Sequence, residues 1–128
     1  MNPTQIKLVQ TSWQQVPYTL EETANRFYTR LFQMDPALKR LFRGDMNDQG
    51  RKSMSMLTFI VDSLGRIEEI VPVLRSLGSR RRPDGAVMLL ATLEEALGSR
   101  FTEEVRSAWM AALETLAGTM TAAAKEPA

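Results

Sequence analysis

Apolar residues in this chain recur every three or four positions from Ile6 to Met120, and no stretch alternates in the two-residue rhythm of a strand. That period confines the chain to helices, each with one apolar stripe that must be buried against another helix. Proline and glycine interrupt the stripes at short intervals. The helices must therefore fold back on one another, and an all-α bundle is the architecture that satisfies them.

The interruptions set the number of helices. Asn2 and Pro3 supply a cap and a first-turn proline, and Ile6, Val9, Trp13 and Val16 mark one face until Pro17 stops it. Thr19 and Glu22 have the spacing of a capping box, opening a helix whose face is Leu20, Ala24, Phe27, Tyr28 and Leu31. Asp35-Pro36 opens a short third helix through Leu38, Leu41 and Phe42, ended by Gly44. Beyond the polar corner GDMNDQG, a long helix presents Met54, Leu57, Ile60, Val61 and Leu64 until Gly65. The fifth carries Ile67, Ile70, Val71, Leu74 and Leu77, with Gly78 as its stop. Pro72, inside that run, is expected to kink it or split it in two.

Asp84 is expected to cap a sixth helix through Val87, Leu90, Leu93 and Leu97, closed by Gly98. Thr102 caps the seventh, with Glu103 and Glu104 at its positive end. Its inward face is Val105, Trp109, Ala112, Leu113, Leu116 and Met120. The pattern predicts one all-α domain over residues 1–128, about seven helices with short links, frayed over 120–128.

A chain of 128 residues can bury one core without staples. Its formal net charge of +1 draws it toward neither nucleic acid nor a membrane surface. It contains no cysteine and no histidine. The first absence removes disulfides, thiolate metal sites and cysteine nucleophiles, and fits a reducing compartment. The second removes the usual nucleophilic triads, the usual zinc sites and the conventional haem ligand. No apolar run approaches the ~20 residues needed to cross a bilayer, and the first residues lack the layout of a signal peptide. A cytoplasmic protein is expected. The pairs Glu68-Glu69, Glu94-Glu95 and Glu103-Glu104 are adjacent on helices, pointing about 100° apart, so they do not converge as an acid–base dyad. No catalytic residue and no metal site is assigned, and the chain is not expected to be an enzyme.

The stretches RFYTRLFQMDPALKRLFRGDMNDQGRK and LGSRFTEEVRSAWMAALETLAGTM resemble the bacterial single-domain globins and the globin part of flavohaemoglobins, over roughly Ile6 to Met120. The resemblance implies a globin-like bundle. It places Tyr28 where these globins have a tyrosine that hydrogen-bonds bound oxygen, and Phe42 where a phenylalanine packs on the haem face. It places Gln49 at the distal position facing the iron. Ser53 falls one turn further, where the family has a bulky aliphatic residue. The iron-ligating histidine of the family follows a Leu-Gly pair like Leu77-Gly78 by a few residues, a position that falls near Arg81 here. A guanidinium has no free lone pair and stays charged, so it cannot be a ligand. The family then has a further Gly-rich turn, whereas LRSLGSRRRPDGAV reaches Pro83-Asp84 at once. On the resemblance, the bundle is shortened around the fifth helix and its link to the sixth, and the proximal histidine has gone with that segment.

Five residues, 78 to 82, span at most about 17 Å. Helices in direct contact lie ~8–10 Å apart, and an empty apolar slot forfeits contacts along its lining. The expectation is a haem-free chain with a closed, degenerate pocket and no cofactor. It would act as a non-enzymatic regulatory or protein-interaction module. Its partner would be an unknown protein or a second copy through the last two helices, as in some globin sensors. One alternative is a haem- and oxygen-binding globin with non-histidine ligation, for which Tyr28 and Met88 are the first candidates. Another is a pocket adapted to a different tetrapyrrole or apolar ligand such as a fatty acid. Against these stand plainer readings. Met54, Met56 and Met88 fill core gaps. Tyr28 is a core tyrosine with a locally bonded hydroxyl. Gln49 is a solvated residue at a helix start, and Arg80, Arg81 and Arg82 form a solvated turn that suits a helix C-terminus.

Overall fold

The computed structural model describes the backbone of residues 1–37, 46–78 and 83–125, and the side chains of 1–37, 48–74 and 87–119. Among these residues the chain is all-helical and has no strand. Its α-helices are α1 (Pro3–Gln14), α2 (Leu20–Met34), α3 (Met46–Asp62), α4 (Val71–Gly78), α5 (Pro83–Leu97) and α6 (Glu103–Lys125). Two 3-10 segments, Leu64–Ile70 and Gly98–Arg100, lead into α4 and α6. These account for six of the seven expected helices. The remaining one begins as a 3-10 turn at Pro36–Ala37, and the rest of it, Phe42 included, lies outside the described residues. Arg80, Arg81 and Arg82 lie outside them as well.

Local chemistry places the helix ends. The Asn2 carboxamide accepts from the Gln5 amide at 2.8 Å, and the Gln5 side chain accepts from the Asn2 amide at 3.1 Å, a complete capping box. At α2 only half of the expected box forms. Thr19 Oγ1 accepts from the Glu22 amide at 3.1 Å, while the Glu22 carboxylate turns to Arg26. Thr102 caps α6 by accepting from the Val105 amide at 3.2 Å. Gly98, at φ 55°, ends α5 in the left-handed region that glycine enters without a Cβ penalty. Pro72 sits second in α4, where its missing amide has no helical acceptor to lose. The part of the expected fifth helix ahead of it runs as 3-10 up to Ile70, and the chain turns α-helical from Val71, so that helix divides into two pieces next to the proline. The break in helical backbone itself is at Arg66 (φ −145°, ψ 49°), ahead of Ile67.

The helices pack as α1 and α4 on α6, α3 and α5 on α2, and α1 on α3; α5 and α6 meet less extensively. One core joins them, with Val9, Leu74, Leu93, Val61 and Trp109 nearly or fully inaccessible. Both indoles are latched to hydroxyls on other helices. Trp109 Nε1 donates to Ser12 Oγ at 2.8 Å and Trp13 Nε1 to Thr58 Oγ1 at 2.9 Å, and the rings meet edge-on at 6.0 Å. Gln10 Nε2 donates to the Val61 carbonyl at 3.1 Å, satisfying an acceptor that the end of α3 leaves free.

Three residues expected inside are outside. Leu20, at the start of α2, is 36% exposed. Val87 is 54% exposed, and Leu89 lines the core with Leu93 and Leu97 instead. The three leucines recur every fourth residue along one side of α5, and Val87 points about 200° away from Leu89. Met56 is 39% exposed, with Phe59 beside it at 43%, on the side of α3 away from the core. Among the described residues no helix is long and apolar enough to cross a membrane.

Candidate functional site

The closest approach between α2 and α3 is at Gly50. A Cβ there would lie 2.7 Å from Ala24 Cβ and 3.5 Å from Tyr28 Cε2. Only glycine lets the two helices cross at this distance, and the crossing brings the side chains around it together. Tyr28, one turn beyond Ala24, is buried and lies along α3. Its hydroxyl donates to Ser53 Oγ at 3.1 Å. Its ring stacks on Phe32 at 5.9 Å and 15°, and Phe27 meets it edge-on at 5.3 Å. The phenol is therefore held on two sides by aromatic rings, with its polar tip carried to α3.

The structure directly bonds two of the five residues singled out by sequence, Tyr28 and Ser53. Gln49 precedes Gly50 in the first turn of α3, where the sequence places it at a helix start, and is half-buried. Met88 is elsewhere, half-buried on α5 against the core, where its carbonyl accepts from Thr92 Oγ1 at 2.8 Å. Phe42 falls outside the described residues. Sequence reasoning passed over Gly50, which it took as part of a polar corner. A glycine between an apolar pattern on one side and an (i, i+4) alanine–tyrosine pair on the preceding helix was the available signal.

The chemistry of this place is that of hydroxyls and a carboxamide. These groups can donate and accept hydrogen bonds, but none is a strong base or a thiolate. The chain supplies no imidazole and no sulfhydryl. Among the described residues no group of three or more acidic side chains is placed to hold a metal ion. Just before Gln49, Asp48 accepts from Lys52 and Arg51 on the surface, at 3.1 Å and 2.8 Å. The hydrogen bond from Lys52, its positive charge and then the Arg51 guanidinium hold the Asp48 carboxyl below its ordinary range.

A second polar cluster joins α2 to α5. Glu95 pairs with both Arg26 and Arg30. Arg26 also reaches Glu22 at 3.2 Å and lies 4.1 Å over the Tyr18 ring. These pairs are partly exposed, so they orient α5 on α2 more than they stabilise it.

No family model matches the chain. It is similar to the flavohemoprotein of Halalkalibacterium halodurans, 28% identical over 109 residues, which covers 76% of this chain and 26% of the relative. It is similar also to the flavohemoprotein of Rhizobium meliloti, 32% identical over 103 residues, covering 71% of this chain and 26% of the relative. The chain spans about a quarter of the length of these curated relatives. An all-helical bundle crossed tightly at Gly50, together with these two likenesses, supports relationship to the globin family.

Proposed function

We propose that this chain is a globin-related module that does not hold haem by the conventional ligand and works as a non-enzymatic regulatory or protein-interaction element. The observation that carries this reading is the complete absence of histidine, the conventional proximal ligand of a globin haem. One further observation supports it. The Tyr28 hydroxyl is satisfied by Ser53 within the protein. The absence of cysteine fits a reducing, cytoplasmic setting.

Hemin titration of the purified protein tests the reading. The expected result is broad, non-saturating absorbance. A sharp Soret band that saturates at one equivalent overturns it, and establishes the second reading, a haem-binding globin with non-histidine ligation. The presence of Tyr28, Phe42 and Gln49 at the positions that the family likeness assigns to the haem pocket is what favours that second reading. Tyr28→Phe and Met88→Leu then identify the group that holds the iron, by which of them shifts the band. Native mass spectrometry of the protein as purified reveals a different tetrapyrrole or apolar ligand.

The partner surface we favour is the seam of α5 and α6, buried by a second copy. Arg106 on α6 stands 4.0 Å from Glu94 on α5, a surface pair that marks where the two helices meet. One strip of each helix leads away from this pair: Leu90 and Val87 on α5, Met110 and Leu113 on α6. Val87 and Leu113 each lie seven residues from the pair, about 10 Å along their helices. Val87 is 54% and Met110 43% exposed. Size-exclusion chromatography with light scattering is expected to give a dimer, and Val87→Asp with Met110→Asp a monomer. A monomer at high concentration in the unaltered protein rules the dimer out.

A further inference from the structure

The face of α3 turned away from the core is unlike an ordinary solvated helix face. Single exposed apolar residues need no explanation. Here Met56 and Phe59, one turn apart, converge with Val73 of α4 on an open groove of about 440 Å³. Ser55 lies in the lining between this apolar stretch and its other end, which Arg51 and Lys52 line. None of Tyr28, Gln49, Ser53 and Met88 contributes to it, so it is separate from the place at the α2–α3 crossing.

We propose that this groove binds a single-chain anionic amphiphile, with the acyl chain along Met56, Phe59 and Val73 and the acid group at Arg51 and Lys52. The volume falls within the range of small-molecule sites, about 300–1,000 Å³. The lining of six residues is far short of the roughly 20–30 that a protein partner covers on each side. The groove is also polarised along its length. From Arg51 to Phe59 the helix rises about 12 Å, and over that distance the lining changes from two cations to aromatic and thioether side chains.

The cations are oriented yet open to exchange. Asp48 bridges them, and Glu21 approaches Arg51 at 3.7 Å. All of these are surface pairs, which hold weakly in water, and the Lys52 side chain is 76% exposed. A ligand carboxylate or phosphate can take the place of Asp48 at the ammonium without leaving a buried charge unpaired. Ser55 adds a hydroxyl donor between head and tail.

The test is a titration of the full chain, labelled with [13C-methyl]methionine, with dodecanoate below its micellar threshold. The Met56 methyl is expected to shift saturably with one equivalent. Dodecanol is expected to bind about tenfold more weakly, and Lys52→Glu to weaken dodecanoate by a similar factor. Phe59→Asp, at an exposed lining position, abolishes the saturable shift of the Met56 methyl, whereas Met34→Asp, at an exposed position on α2, leaves it unchanged. Dodecyl phosphate matching dodecanoate identifies the acid group as the common element, and acetate alone leaves the methyl in place. The proposal is overturned if dodecanol equals dodecanoate, if Lys52→Glu changes nothing, or if the shifts spread over all the methionines. It is overturned equally if the groove is buried by self-association of the free protein. The readout uses no haem, so its failure is independent of the hemin titration.

Discussion

At Gly50 one hydrogen atom stands where a methyl group cannot. Gly50→Ala puts a carbon 2.7 Å from Ala24 Cβ, and neither side chain can turn away because both atoms are fixed to backbone. The helices must separate, at a cost of about 1–3 kcal/mol by analogy with overpacked cores. Chemical denaturation measures this. The Tyr28–Ser53 bond is expected to lengthen with it, visible as a changed tyrosine ring environment in NMR. Ser12 is the second residue on which much depends. It accepts from the Trp109 indole at 2.8 Å and donates to the Val9 carbonyl at 3.0 Å. Ser12→Ala leaves a buried indole N–H without its acceptor and should cost about 1–3 kcal/mol in the same measurement. Ser12→Thr, which keeps the hydroxyl, should recover part of it.

Helix ends differ in what their caps contribute. Thr102→Ala removes a bond to the Val105 amide and should lower stability by about 1 kcal/mol. Glu22→Ala should cost only about 0.3–0.5 kcal/mol, because its carboxylate makes an exposed (i, i+4) pair with Arg26 and does not complete the box at Thr19. Thermal melts of the two variants separate these outcomes. The same contrast explains which elements were legible in the sequence. The starts of α1 and α6 are dictated by side chains within three residues of the cap, so Asn2 and Thr102 disclose them. The change from 3-10 to α-helix beside Pro72 is equally local, since a proline suits the first turn of an α-helix. By contrast, α3 begins at Met46, inside a stretch read as a polar corner. Its first turns gain from Gly50 docking on Ala24, a contact between residues far apart in the sequence. The rotation of α5 has the same origin. Periodicity admits either Val87 or Leu89 as an inward residue, and contact with α2 and the core selects Leu89.

For the whole molecule, charge is nearly balanced, and acid sensitivity is carried by individual surface pairs. Asp48 titrates below the ordinary carboxylate range in the folded chain. Its contribution is therefore present above the unfolded-state value and lost as pH falls through the folded-state value. Asp48→Asn should flatten the acid limb of the melting temperature against pH and leave the neutral region almost unchanged. A limb identical to that of the unaltered protein counts against the Lys52 and Arg51 pairing. Tyr28, Gln49 and Ser53 were singled out through family likeness, whereas the Tyr28–Ser53 bond beside Gly50 depends on the crossing of α2 over α3, which no local pattern discloses. The groove beneath Met56 and Phe59 was invisible, because a methionine and a phenylalanine at helical spacing read as core until the direction of α3 is known.

The paired indoles of Trp13 and Trp109 have an optical consequence. They are the chain's two tryptophans, and their rings lie 6.0 Å apart where α1 and α6 meet. Intrinsic emission therefore reports a single spot, and close ring coupling should give an exciton couplet in the aromatic circular dichroism. Because the Trp13 indole is bonded to Thr58 on α3 as well, that couplet reports on α1, α3 and α6 at once, and on warming it should fade together with the helical ellipticity as the one core melts.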